Sequence, residues 1–247
     1  ADLKTFAAFG VYGVCAITAV TAQNTMGVVA VAPIATGLVT AQIEAVAGDI
    51  RLHATKIGML ATAAIVEAVA AAIEALELPL VVVDPVMASS SGERLLDDDG
   101  VQMLIADLLP RAYLVTPNFP EAEALSGCRI RSSDDAKKAA ARILDMGAKS
   151  VVITGGHGSG AEAIDLLYDG HVFHEFRTER IASGPTHGTG CTFASAVAAG
   201  LALGHPLAES ARRAQTYVAG AIAHASAVGR GSRPLDHFWE SRNPGIG

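Results

Sequence analysis

A glycine-rich turn opening into a small-residue helix, Thr186-His-Gly-Thr-Gly-Cys-Thr-Phe-Ala-Ser-Ala196, sets Cys191 at a predicted helix N-terminus. The first turn of a helix leaves backbone N–H groups unpaired and carries the positive end of its dipole. Gly188, Thr189 and Gly190 can therefore hold an anion on their amides. The same field acidifies a thiol, which would make Cys191 reactive beside a bound phosphate. A tight turn with a buried structural cysteine fits the same short pattern. His187, next to the turn, can orient a phosphate or simply hydrogen-bond the loop.

Other chemically loaded residues follow short β-branched runs: Gln23 and Asn24, Met59, Asp84-Pro-Val86, Asn118 with Glu121, and Thr154-Gly-Gly156. Asp84 ends the run Val81-Val-Val83, where a buried carboxylate is costly unless it faces a cation. That points to Mg2+ or phosphate nearby, or to a residue that pins the next loop. Asn118-Phe-Pro-Glu121 has the spacing of a capping box with Pro120 in the first turn. The same placement leaves Glu121 able to hold hydrated Mg2+ through water, and both readings are compatible. Gly155-Gly156 lets backbone approach phosphates, or is a plain strand exit. The histidines lack the i, i+4 spacing of a helical metal pair, so no zinc site is assigned.

The elements that must position these residues alternate as strand, loop and alanine-rich helix, the rhythm of a mostly parallel sheet covered on both faces. Strands are predicted at 14–21, 54–57, 80–83, 113–115 and 150–153. Helices are predicted at about 2–9, 34–47, 61–76, 100–109, 118–125, 134–146 and 190–203. Residues 164–168 and 171–176 flank Asp169-Gly170, a two-residue hairpin signal at an antiparallel edge. Two more helices are expected from 207 to 219 and on toward 226, before the glycine-rich run 228–232. Ligands of open α/β sheets sit beyond the carboxyl ends of the strands, where most of the residues above would lie.

With 247 residues, 51% hydrophobic and 17% charged, the chain can bury a full core as one α/β domain, taken as residues 1–247. Its net charge of −7 and the lack of basic runs speak against nucleic acid. The apolar run 61–75 is broken by Glu67 and Glu74, as in an amphipathic helix and unlike a membrane span. Three scattered cysteines without C-x-x-C spacing fit a reducing cytoplasm. The uncapped start Ala1-Asp-Leu-Lys-Thr-Phe6 reads as mid-helix, so further residues are expected upstream.

Six blocks occur in one order: Ala1-Asp-Leu-Lys-Thr-Phe6, Thr21-Ala-Gln-Asn-Thr25, Thr55-Lys-Ile-Gly-Met-Leu60, Asp84-Pro-Val-Met87, Thr116-Pro-Asn-Phe-Pro-Glu-Ala122 and Thr186-His-Gly-Thr-Gly-Cys191. Together they resemble the hydroxymethylpyrimidine/phosphomethylpyrimidine kinases of thiamine biosynthesis, in the ribokinase-like superfamily, over nearly the whole chain, from Ala1 through Gly231 to Asp236-His-Phe-Trp239. The resemblance implies a three-layer α/β/α fold and a homodimer. It also implies MgATP-dependent phosphorylation of 4-amino-5-hydroxymethyl-2-methylpyrimidine and then of its monophosphate. By the same resemblance Gln23 would hydrogen-bond the aminopyrimidine, and Asp2, Met59 and Val86 would line its pocket. Asp84 and Glu121 fall on the magnesium and phosphate side, with Asn118, Thr154, Gly156 and His187 toward the nucleotide. Gly188, Thr189 and Gly190 match the anion hole and Cys191 the catalytic residue, acting as a base toward the hydroxymethyl proton.

Departures from the family pattern are Thr154 and Ser90, each in place of a common lysine, and the lack of the amino-terminal strand and its Gly-Ser-Asp-rich loop. A pyridoxal kinase of similar fold is the nearest rival. Some of these carry a second cysteine in the loop that here reads Ala88-Ser-Ser-Ser-Gly92. A non-catalytic binding relative would release no ADP. A cysteine hydrolase using Cys191 and His187 would need a group to orient the imidazole, and none is evident.

Overall fold

Three valines in a row, Val81 to Val83, are fully buried although their side chains alternate between two faces. A strand buried on both faces needs a layer of helices on each side, and this is the architecture of the chain. The computed structural model describes residues 1–89, 92–155, 162–181 and 186–242. In chain order the elements begin with α1 (Asp2–Ala8), β1 (Ala19–Asn24), β2 (Gly27–Pro33), α2 (Thr36–Ala47), β3 (Thr55–Ile57), α3 (Ala63–Ala75) and β4 (Val81–Val83). Next is α4 (Asp98–Met103), which runs into a π turn at Leu104–Leu108 and a 3-10 turn at Leu109–Arg111. The elements that follow are β5 (Leu114–Val115), α5 (Phe119–Ser126), α6 (Ser133–Asp145), β6 (Val151–Ile153), β7 (Glu162–Tyr168) and β8 (Phe173–Glu179). The last are β9 (Thr186–His187), α7 (Thr189–Ala202), α8 (Leu207–Ala223), β10 (Arg233–Pro234) and α9 (Trp239–Arg242).

The central sheet has the order β3-β4-β5-β6-β7-β8, parallel through β6 and antiparallel at β7 and β8. Val81, Val83, Val115, Val151 and Ile153 pack toward α2 to α6, while Val82, Leu114 and Val152 pack toward α7 and α8. This alternation is the period of two that a strand imposes. Helix starts are set by their caps: Thr62 for α3, Asp97 for α4, Asn118 for α5 and Ser132 for α6.

Three expectations are corrected. The strand predicted at 14–21 begins only at Ala19 and does not join the central sheet; with β2 it forms a separate antiparallel hairpin. Residues 11–18 have no ladder partner among the described residues. Residues 17 and 18 are held by side chains, through Gln42 on the Ile17 backbone and the Thr18 hydroxyl on the Met59 carbonyl. The β7–β8 turn spans four residues, with Tyr168 paired to Phe173, because Asp169 Oδ1 accepts the amides of His171 and Val172. The two helices expected after 207 are one, α8, and the short parallel pair β9–β10 was not anticipated.

Candidate active site

The start of α7 has the geometry its sequence calls for. Gly188 is the N-cap at φ 88°, a left-handed conformation that favours glycine, and it turns β9 into the helix. The Thr192 amide and hydroxyl both donate to the Gly188 carbonyl, at 2.9 and 2.7 Å. A helix has no carbonyls of its own for the amides of its first turn, which is what an anion site uses. A Cβ on Gly190 would stand 3.8 Å from Asp84 Oδ1, so the helix end and the end of β4 meet.

Asp84 follows β4 and is buried beneath that junction. Its nearest cation is Lys56 of β3, with Nζ 3.7 Å from Asp84 Oδ2 and 3.0 Å from Asp2 Oδ2. The Ser195 hydroxyl of α7 donates to Asp2 Oδ1 at 2.9 Å. Burial opposes the charge on Lys56, but Cys191, Asp84 and Asp2 around it outweigh that and hold its ammonium above the ordinary range. Burial pushes the Asp84 carboxyl up, and Lys56 only partly offsets it. Asp84 Oδ2 has no hydrogen-bond partner among the described residues. Lys56 was not among the residues singled out from sequence. A lysine inside an apolar strand, Thr55-Lys-Ile57, is the signal that finds it, because such a charge must have a buried partner.

Part of Cys191 is exposed, but its thiol is turned in against the Asp84 carboxylate. The expectation of an acidified thiol is overturned: burial first, and then the charge of Asp84, push it above its ordinary value. Lys56 pulls the other way and does not prevail. The thiol is therefore neutral at pH 7 and can donate to Asp84.

Glu121 lies in the capping box of α5. Asn118 Oδ1 accepts the Glu121 amide, and Glu121 Oε2 accepts the Asn118 amide, each at 2.9 Å. Burial first, and then the charge of Asp84, push the Glu121 carboxyl up to about 8. Asn118 also bridges to Thr154, whose amide donates to the Pro117 carbonyl, so the loop after β5 and the exit of β6 lie side by side. Gly156 and Ser90 lie outside the described residues.

Gln23 reaches the site from the β1–β2 hairpin and not from the central sheet. Its amide nitrogen is 3.4 Å from His187 Nε2, in an open cleft of about 310 Å3 shared with Ser232 and Pro234. The hairpin tip is held there by Thr25, which accepts the amides of Gly231 and Ser232. A second cavity of about 880 Å3 reaches Asp2, Lys56, Met59, His187, Gly188 and Cys191. Val86 is half-buried in the turn after Asp84, its amide donating to the Asp84 carbonyl.

The model of the phosphomethylpyrimidine kinase family matches residues 1–236. The chain belongs to the phosphomethylpyrimidine kinase family. It is 45% identical over 244 residues to the hydroxymethylpyrimidine/phosphomethylpyrimidine kinase of Bacillus subtilis, covering 98% of this chain and 90% of that protein. It is also 45% identical over 238 residues to the thiamine biosynthesis bifunctional protein ThiED of Geobacter sulfurreducens. That match covers 96% of this chain and spans about half, 49%, of that longer relative. Among solved structures, an ADP complex of Bacillus subtilis pyridoxal kinase superposes with a TM-score of 0.89 at 36% identity. It covers 98% of this chain and 92% of that one, so this member of the family has the ribokinase-like fold.

Proposed function

We propose that the protein is an ATP-dependent kinase that phosphorylates 4-amino-5-hydroxymethyl-2-methylpyrimidine and then its monophosphate, yielding the pyrophosphate used in thiamine biosynthesis. The observation that carries this reading is the meeting of an anion-binding helix end, the Cys191 thiol and the buried Asp84 carboxylate at one point. Phosphoryl transfer depends chiefly on positioning and charge neutralisation, and this junction supplies both.

Gly188, Thr189 and Gly190 receive the transferring phosphoryl oxygens on their backbone amides. Gln23, Asp2, Met59 and Val86 hold the pyrimidine. Asn118 and Thr154 face the nucleotide, and His187, beside Gln23, lies on the acceptor side. When the acceptor is the hydroxymethyl group, its proton passes to Cys191 Sγ as the thiol proton passes to Asp84. The neutral thiol then acts as a relay and not as a preformed base. The phosphate acceptor of the second transfer is already anionic and needs no relay.

Mg2+ fits the residues present: Asp84 has a buried oxygen without a hydrogen-bond partner among the described residues, and Glu121 is a second carboxyl that feels the like charge of Asp84. Asp84 and Glu121 would hold it with the nucleotide phosphates, where it would neutralise charge on the oxygens in transfer. Among the described residues no group of three metal-ligating side chains occurs.

The active unit is a homodimer joined through the β1–β2 hairpin. No charged residue occurs between 11 and 43, and Val20, Met26 and Val29 are exposed on a two-stranded sheet that is marginal alone. The free thiols of Cys15, Cys128 and Cys191 fit a cytoplasmic protein. Among the described residues no helix is long and apolar enough to cross a membrane.

Coupled ADP release from MgATP tests the substrate class, with hydroxymethylpyrimidine, its monophosphate and pyridoxal as acceptors. Turnover of both pyrimidines is expected. Turnover of pyridoxal alone would transfer the assignment to the pyridoxal kinases, which the structural neighbour represents.

A further inference from the structure

Outside the site just described, one buried carboxylate has no cation beside it among the described residues. Asp165, in the middle of β7, is buried, and both its oxygens are spent on neutral donors. Oδ1 accepts the Gly155 amide at 2.8 Å, and Oδ2 accepts Gln215 Nε2 of α8 at 2.9 Å. Gln215 is itself buried, and the same nitrogen donates to the Phe176 carbonyl of β8 at 2.9 Å. Burial pushes the Asp165 carboxyl up, and these two bonds only partly offset it. A charge kept at such cost, where an apolar residue would pack, calls for a purpose other than stability.

The purpose lies in which peptide the carboxylate grips. Gly155 is the first residue beyond Thr154, at the exit of β6. A Cβ on Gly155 would lie 1.9 Å from the Ile164 carbonyl oxygen, so only glycine can approach β7 this closely. The Thr154 amide is tied to Pro117, and the Gly155 carbonyl accepts Arg180 Nη2 at 3.4 Å. Those two bonds hold the peptides on either side, and the Gly155 N–H bond to Asp165 is the one that grips the Thr154–Gly155 peptide itself. Because a peptide is planar and trans, holding its N–H toward Asp165 turns the Thr154 carbonyl the opposite way.

We propose that Asp165 and Gln215 are positioning residues for the nucleotide: they set the orientation of the Thr154–Gly155 peptide from behind the sheet without touching the substrates. This rests on the reading of Thr154 as nucleotide-facing. It predicts a defect confined to ATP.

The test is steady-state kinetics on Asp165→Asn, with MgATP and the pyrimidine varied in turn. Asparagine can accept from Gly155 or from Gln215 but not from both, so one donor is left facing a donor. The KM for MgATP is expected to rise about tenfold, with the KM for the pyrimidine unchanged, from the cost of a buried unsatisfied group. In the double variant Asp165→Asn/Gln215→Glu, the new amide donates to the new carboxylate and its oxygen is free for Gly155. The ATP KM is expected to recover, while thermal stability stays low because a carboxylate on α8 has no proton to donate to the Phe176 carbonyl. If Asp165→Asn does not fold, Gln215→Met keeps the Gly155 bond, and a rise of about threefold in the ATP KM is expected. An unchanged ATP KM, an equal rise for both substrates, or a double variant as impaired as the single one overturns the proposal. Failure of the wild-type protein to use ATP with any acceptor is a separate result, and it would overturn the kinase reading instead.

Discussion

Cys191 faces a carboxylate, so a proton it receives has somewhere to go. Replacing Cys191 by alanine is expected to slow phosphorylation of the hydroxymethyl group about a hundredfold, the usual share of acid–base catalysis. Transfer to the monophosphate should fall much less. Equal losses in the two steps, measured separately by ADP release, would mean that Cys191 only positions the acceptor. Lys56 carries the other burden of the cluster. Lys56→Met leaves Asp84 buried beside Asp2 without a cation, and urea unfolding should show a loss of about 3 kcal/mol or more. Residue types in order made most of this site legible, because Asp84, Glu121 and Cys191 stand out where each follows an apolar strand or a glycine turn. Two things stayed hidden. The thiol's neutrality depends on a carboxylate 107 positions away in the chain, at a distance only the fold sets. The partners of Lys56, Asp2 and Asp84, lie far from it in the chain and are brought to it only by the fold.

At the scale of elements, the capping box of α5 joins a helix start to a functional carboxyl. The Glu121 carboxyl is raised to about 8 in the folded protein from an ordinary value of 4.5. The folded state therefore keeps a proton that the unfolded chain has lost across that interval. This contribution to stability is complete below about pH 4.5 and is lost as pH rises through about 8. Glu121→Gln keeps the cap acceptor and removes the titration. Its Tm should fall less than the wild-type Tm between pH 5 and pH 8, and parallel curves would place the raised carboxyl elsewhere. The elements themselves were legible where pattern and caps agree, as in α3, α5 and α6. The β1–β2 hairpin was not recognised, although Gly27-Val-Val-Ala-Val-Ala-Pro33 carries the β-branched content of a strand. Run length alone could not show that 14–18 would have no ladder partner among the described residues and that 19–24 would pair with the next strand in place of the central sheet.

For the whole molecule, the hairpin holds Gln23 over the site while presenting a neutral, apolar surface outward. A second copy covering that surface would fix Gln23 in place. Val29→Asp puts a charge at a position that is 80% exposed, so the monomer should fold unchanged. Sedimentation should then show a shift from dimer to monomer, and kinetics a raised KM for the pyrimidine. A monomeric wild type, or a dimer indifferent to Val29→Asp, would remove the hairpin from the interface. The central claim is two successive phosphoryl transfers at the end of α7, and 31P NMR of hydroxymethylpyrimidine with MgATP and the protein tests it most directly. The account predicts a monophosphate ester that appears first and then gives way to a pyrophosphate as ADP accumulates. ATP that stays intact, or phosphate that appears only as free inorganic phosphate, would contradict it.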